Sequence, residues 1–352
     1  YSALKKGIKN SLNKKNDIKN IIVFDTAISS TNKGDIVIFE SLKRAFGSYL
    51  MGNNTYYFPT HTPFLTAYQV KRSFRAKMIE KSDYNFVFGT SILKTNMMKF
   101  CPQWSVNIFN CKPLQNLILV GVGNSRNSHN INCYTKYMYQ HMLSKDYIHS
   151  VRDNETKEML ENLGFKAINT GCPTLWDLTE EHCRKIPTQK AENVVFALRA
   201  EKKDFENDKK FIDMLKRNYK KLYYWPQTFS DLDYIKQFEE IEEIEIIPQS
   251  IEAYQYVLQN NDVDYVGLRL HGGIYAMKQQ KRAIIVKVDH RASNIDEVNH
   301  INCIGRSDIN KIEEKINSEF ETKVFVDYDK INEWMSQFEG MKLFENKFKN
   351  KE

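Results

Sequence analysis

At 352 residues the chain exceeds the roughly 250–300 at which one hydrophobic core stops growing, so two domains are expected. With 41% hydrophobic and 27% charged residues it has the balance of a globular protein and not of a disordered one, and apolar runs such as residues 21–24, 117–120 and 283–286 fall far short of the roughly 20 needed to cross a bilayer. The net charge of +7 suits an anionic substrate, a nucleic acid or an anionic membrane surface without separating them.

From about residue 20 short β-branched or aromatic runs alternate with longer amphipathic stretches, the pattern of a parallel sheet with helices on both faces. Strands are expected at 20–26, 54–59, 84–89, 116–122, 147–151 and 166–169, and a second series at 193–199, 221–225, 243–247, 263–268 and 283–288. Helical periodicity covers 206–219, 250–260, 270–280 and 308–317. The polar stretch 179–192 reads as the interdomain linker. The expected domains are therefore 1–185 and 186–328, with a helical segment at 329–352 that packs back on the first domain.

Six cysteines, Cys101, Cys111, Cys133, Cys172, Cys183 and Cys303, are scattered without a CxxC pair, which argues for reduced thiols and against a zinc ribbon or a disulfide framework. No secretory leader is evident, so a cytoplasmic location is expected. The lysines at 5, 6, 9, 14, 15 and 19 form either a solvated arm or a loose contact with the inner face of an anionic membrane. They lack the interleaved aromatics of a nucleic-acid platform, and no nucleic-acid partner is expected.

Five segments carry candidate chemistry. In the loop after the first strand, Asn32-Lys33-Gly34-Asp35, Asn32 and Asp35 can hydrogen-bond sugar hydroxyls, although a turn former and an N-cap would look the same. The spaced Gly-Lys-Ser/Thr ending of a P-loop is absent. Gly89-Thr90-Ser91 and Gly121-Val122-Gly123-Asn124-Ser125-Arg126 are polar turns at strand ends, and the second lacks the third glycine of a dinucleotide fingerprint. Ser150-Val151-Arg152-Asp153-Asn154 puts a guanidinium at a strand's carboxyl end, with Asn154 available to cap the next helix. A structural Arg152–Asp153 pair is the plainer alternative.

The most informative stretch is Tyr265-Val266-Gly267-Leu268-Arg269-Leu270-His271-Gly272-Gly273. A strand runs into two glycines and a helical pattern, at the sheet edge where open α/β folds bind ligands. Backbone N–H groups at the helix start favour an anion. Arg269 offers a planar fork for carboxylate or phosphate, and His271 exchanges a proton near neutral pH. The alternative is a loop-bracing arginine beside a satisfied histidine.

In this order and spacing, Asn32-Lys33-Gly34-Asp35, Ser150-Val151-Arg152-Asp153 and Arg269-Leu270-His271-Gly272, with the looser Val288-Asp289-His290-Arg291-Ala292, the chain resembles the polysaccharide pyruvyl transferase family over roughly residues 20–300. The departure lies at Gly89-Thr90-Ser91, where a Gly-Gly pair is more usual. The resemblance implies two Rossmann-like domains facing a central cleft, as in GT-B glycosyltransferases. It also implies transfer of the pyruvyl group of phosphoenolpyruvate onto a sugar, free or lipid-linked, to form a cyclic ketal. It assigns Arg152, Arg269, Leu270, His271 and Gly272 to the donor, with His271 as proton-transfer residue. Asn32, Asp35, Ser91 and Asn124 fall to the acceptor, Asp35 as a second candidate for proton transfer. Neither a metal nor a cofactor is expected. A nucleotide-sugar glycosyltransferase on the same architecture and a non-catalytic glycan-binding protein are the rival readings.

Overall fold

The computed structural model describes residues 18–99, 103–125, 130–301 and 303–344. Lys5, Lys6, Lys9, Lys14, Lys15, Cys101 and Arg126, together with residues 345–352 of the final segment, lie outside the described residues. The chain forms two compact units. The first comprises residues 1–30, 38–173 and 327–352, and the second residues 31–37 and 174–326.

In the first unit, β1 (Asn20–Asp25) is buried from Ile21 onward, as a strand with neighbours on both sides must be. It pairs in parallel with β2 (Asn54–Pro59) and β3 (Tyr84–Phe88), and β3 pairs with β4 (Leu117–Val120). The order β2-β1-β3-β4 leaves β2 at the edge, where its terminal proline costs no ladder bond. Helix α1 (Lys33–Ala45) follows β1, and its residues from Ile38 onward belong to this unit. Gly89, at φ +63°, leaves room for Ile38, whose Cγ2 lies 2.1 Å from where a Cβ would stand. β4 ends earlier than its apolar run suggests because Gly121 turns left-handed at φ +61°, with a Pro173 ring atom 2.0 Å from its Cβ position. Helix α2 (Cys133–Met142) precedes β5 (His149–Val151), which pairs with β6 (Ala167–Asn169) across α3 (Asn154–Glu161). A bridge between Val122 and Val151 carries the layer on from β4 to β5.

The second unit is a six-stranded parallel sheet of β7 (Asn193–Ala197), β8 (Leu222–Tyr224), β9 (Ile244–Ile246), β10 (Val263–Gly267), β11 (Ala283–Lys287) and β12 (Ile304–Gly305), in the order β12-β11-β10-β7-β8-β9. Its helices are α4 (Phe205–Asn218), α5 (Phe229–Ile235), α6 (Ile251–Asn260), α7 (Leu270–Lys278), α8 (His290–Asn299) and α9 (Ile309–Asn317). This is the doubly wound order whose switch point falls between the first and fourth strands, here β7 and β10. All five residues of β10 are buried, which explains its near-continuous apolar and aromatic sequence.

The units divide at Pro173 and Thr174, not within 179–192. That stretch folds onto the second unit. Cys183 and Ile186 are buried, and the His182 ring Nε2 meets the carbonyl of Met277 at 2.9 Å. The stretch opens on a further short helix, Glu180–Cys183, and its polar composition reflects ion pairs one turn apart there, Arg184 with Glu180 and Lys185 with Glu181, and not a linker. The helix α10 (Tyr328–Ser336) belongs to the first unit. Trp334 is fully buried there, and its Nε1 donates to the carbonyl of Ile148 at 2.8 Å. The Gln337 amide closes around the same residue, donating to its carbonyl and accepting from its N–H. Among the described residues no helix is long and apolar enough to cross a membrane.

Candidate functional site

The second unit places its polar cluster at the carboxyl ends of β7 and β10, the switch point of the sheet. Arg269 is the N-cap of α7 and His271 its second residue. The Arg269 side chain is buried. Its Nε donates to the carbonyl of Leu198 at 3.3 Å and its Nη2 to Glu201 at 2.9 Å, and Nη2 also makes a short bond to the carboxylate of Asp231. Burial works against the charged form, but Asp231 and Glu201 outweigh it and hold the guanidinium above its ordinary pKa. Burial likewise opposes ionisation of Glu201, and the Arg269 charge prevails, keeping that carboxyl below its usual range. Arg269 thus enters the site with its charge compensated. What the geometry brings out is a positioning role, tying the end of β7 to the start of α7.

Asp231 organises this corner. Fully buried, it accepts from the backbone N–H groups of Ala200, Gln227 and Thr228 at 3.0–3.1 Å as well as from Arg269. Thr228 and Asp231 form a capping box at the start of α5, a spacing that is readable in the sequence. Arg199, after β7, bonds Asp289 at 2.5 Å, so the loose motif after β11 ties back to β7.

His271, Gln227 and Asn32 converge on Gly34. A Cβ at Gly34 would stand 3.3 Å from Asn32 Oδ1, 3.3 Å from His271 Nδ1 and 3.4 Å from Gln227 Oε1. Residues 31–37 belong to the second unit because Lys33 N–H donates to the Gln227 carbonyl at 3.0 Å. That places Asn32 and Asp35 with His271, not with the first domain as expected. Asn32 Oδ1 accepts from Gly34 N–H at 3.1 Å, the turn-forming role its residue type also predicts. Asp35 is buried in the first turn of α1. Gln227 is 2% exposed, and its Nε2 is a buried donor without an acceptor. No sequence signal marks it.

The N–H of Gly272, a residue expected at the donor, already donates to the Arg269 carbonyl at 3.0 Å. Its lack of a side chain matters instead, since a Cβ would lie 2.8 Å from the Tyr265 hydroxyl and 2.9 Å from Gln227 Nε2. The Tyr265 hydroxyl in turn donates to the Arg269 carbonyl at 2.8 Å. Leu270 and His271, both half-buried, occupy the first two helical positions, whose N–H groups point along the axis with no acceptor inside the helix.

The first unit gathers Ser91, Asn124 and Arg152 at the carboxyl ends of β3, β4 and β5. Arg152 is 3% exposed, its Nη2 donates to Ser91 Oγ at 2.7 Å, and its Nε, 3.6 Å from Asp153, has no hydrogen-bond acceptor. Asn124 N–H donates to Thr156 Oγ1. The cap of α3 is Asp153, accepting from Thr156 N–H at 2.7 Å, and not Asn154. With extended backbone just before the first helical residue, Asp153 serves the cap and faces the arginine together.

Cys111, Cys133, Cys172, Cys183 and Cys303 are free thiols, and among the described residues no group of three or more His, Cys, Asp and Glu is placed to hold a metal ion.

A family model described as polysaccharide pyruvyl transferase matches residues 32–290. Comparison with curated proteins found no significant match. Among solved structures, the chain is similar to Methanocaldococcus jannaschii UDP-GlcNAc 2-epimerase in complex with UDP-GlcNAc and UDP, at 12% identity over 90% of this chain and 99% of that one, TM-score 0.49. A second similarity is to Arabidopsis thaliana FUT1 in complex with GDP, at 10% identity over 83% and 76%, TM-score 0.28. Both likenesses are too distant to bear on chemistry.

Proposed function

We propose, from the premise that this chain belongs to the polysaccharide pyruvyl transferase family, that it transfers the pyruvyl group of phosphoenolpyruvate to two hydroxyls of one sugar, forming a cyclic ketal and releasing phosphate. The observation that supports this most is the convergence of His271, Gln227 and Asn32 on the bare Cα of Gly34, beside the start of α7. A titratable ring, a buried amide donor and a helix N-terminus together suit a small phosphorylated acid.

In this reading His271 protonates the methylene carbon of the donor. The adjacent carbon becomes cationic, and one sugar hydroxyl attacks it. A second hydroxyl then displaces phosphate and closes the ring. One hydroxyl proton restores His271, and the other leaves with phosphate or through Asp35. A positioned acid of this kind is typically worth about 10²–10⁴ in rate. Arg152 binds an anionic group of the donor, while Arg269 holds the start of α7 in place. Asn32, Asp35, Ser91 and Asn124 are assigned to the acceptor sugar, free or lipid-linked.

The test is phosphate release from phosphoenolpyruvate against a panel of galactose, mannose and amino-sugar acceptors, with the product examined for a ketal by mass spectrometry. Release that depends on acceptor supports the reading. Transfer from a nucleotide sugar, with no response to phosphoenolpyruvate, would overturn it.

A further inference from the structure

Charge is unevenly divided along this chain. Among the described residues the first unit holds 18 Lys and Arg against 13 Asp and Glu, a balance of +5, and the second holds 24 against 28, a balance of −4. Within the first unit no Asp or Glu occurs from residue 84 to residue 145, where six Lys and Arg lie.

One turn in that acid-free stretch presents apolar side chains outward. Phe109 is 74% exposed, Ile108 48% and Met98 73%. The turn is held rigidly. Asn107 N–H donates to Asn110 Oδ1 at 2.8 Å, Phe109 N–H to Asn107 Oδ1 at 2.9 Å and Cys111 N–H to the Asn107 carbonyl at 2.9 Å. Asn110 is buried, and its Nδ2 donates to the carbonyls of Ser105 and Leu65. Ile108 N–H donates to the Tyr134 hydroxyl, and Met97 N–H to Thr135 Oγ1, so the turn and the loop carrying Met98 both rest on the start of α2. Lys99, Lys112 and Lys136 are exposed on the same three segments.

A turn fixed by two asparagine side chains that directs a phenylalanine and an isoleucine into solvent is a preorganised apolar tip. Single exposed apolar residues are ordinary. Two adjacent ones on a locked turn, on segments that carry exposed lysines and no Asp or Glu, match the interface of an anionic bilayer, where apolar tips enter the headgroup boundary and cations meet lipid phosphates. We propose that this face docks the first unit onto an anionic phospholipid surface, with Ile108 and Phe109 inserted and Lys99, Lys112 and Lys136 on the headgroups. It is independent of the reaction proposed above and of the lysines before residue 18.

The test is cosedimentation of the full chain with phosphatidylcholine vesicles, with and without phosphatidylglycerol. Binding should require phosphatidylglycerol and weaken with salt. Phe109→Asp should lower the partition coefficient about tenfold or more, and Lys99→Glu or Lys112→Glu about fivefold each. Lys311→Glu, on an exposed site of the second unit, should leave it unchanged. Phe109→Trp should bind and shift its emission to the blue on these vesicles, a readout that a damaged fold would not give. Equal binding to both lipid mixtures, no binding at all, or Phe109→Asp binding as tightly as the parent would overturn the proposal, the last showing attraction by charge alone with no insertion of the turn.

Discussion

The guanidinium of Arg152 lies against the Cα of Gly123, so that a Cβ at Gly123 would stand 2.2 Å from its Nε and 2.6 Å from its Cζ. The second glycine of the turn after β4 therefore serves the arginine after β5, 29 residues later in the chain. Gly123→Ala keeps an ordinary backbone, since Gly123 has no positive φ, but it must push Arg152 off Ser91. The expected outcome is a loss of turnover of about tenfold or more, the scale of one charge-assisted hydrogen bond, with a loss of stability of about 1–3 kcal/mol from overpacking. Arg152→Ala should show the same loss of turnover. Normal steady-state kinetics in Gly123→Ala would remove Arg152 from the reaction.

Gln227 separates function from stability by sign. An unpaired buried amide donor costs about 1–3 kcal/mol, so Gln227→Leu should hold or raise stability in urea unfolding. Donor affinity should nevertheless fall about tenfold, measured by titration with phosphoenolpyruvate. A variant that binds donor as tightly as the parent would make the orphan amide a packing defect and nothing more.

Asp231 is the reverse case. Removing one partner of a buried ion pair leaves the other charge stranded, at about 3–5 kcal/mol. Asp231→Asn should destabilise the chain on that scale, because the half-exposed Glu201 is then the one carboxylate bonded to Arg269 among the described residues. A loss below about 1 kcal/mol in urea titration would mean that Arg269 finds another arrangement.

His149 gives the first unit an acid limit. Its ring is fully buried, accepting from Leu119 N–H at 3.2 Å on Nδ1 and facing the Ser144 carbonyl at 2.9 Å on Nε2. Burial lowers its pKa from 6.5 to about 4, against the pull of the Ser144 carbonyl. Between those values the unfolded chain binds a proton that the folded chain refuses, so stability falls as pH falls from 6.5 toward 4, by up to about 3 kcal/mol. Chemical unfolding at pH 7 and pH 5 should show that slope, and His149→Gln should flatten it. An unchanged slope in the variant would assign the acid sensitivity elsewhere.

Much of the fold is legible in the sequence because its strands are buried on both faces and read as apolar runs. β1, β4 and β10 fall inside their expected ranges for that reason. The boundary of the units is not legible, since the run of Glu, Lys and Thr after Thr179 looks like a linker, whereas its charges pair along a helix whose other face is buried. The placement of Asn32 and Asp35 is hidden too, because the chain contact that decides it, Lys33 to Gln227, spans 194 residues. Arg269 and His271 are readable as a pair at a strand end. Their division of labour is not, since nothing local announces that Asp231 and Glu201 will meet the arginine and leave the histidine beside Gly34.

His271 carries the central step of the proposed reaction. Phosphate release from phosphoenolpyruvate with an active acceptor, compared between the parent and His271→Ala at matched thermal stability, should drop by at least about 10². Turnover within a few-fold of the parent would contradict it, since no other side chain is given the proton that the methylene carbon must receive.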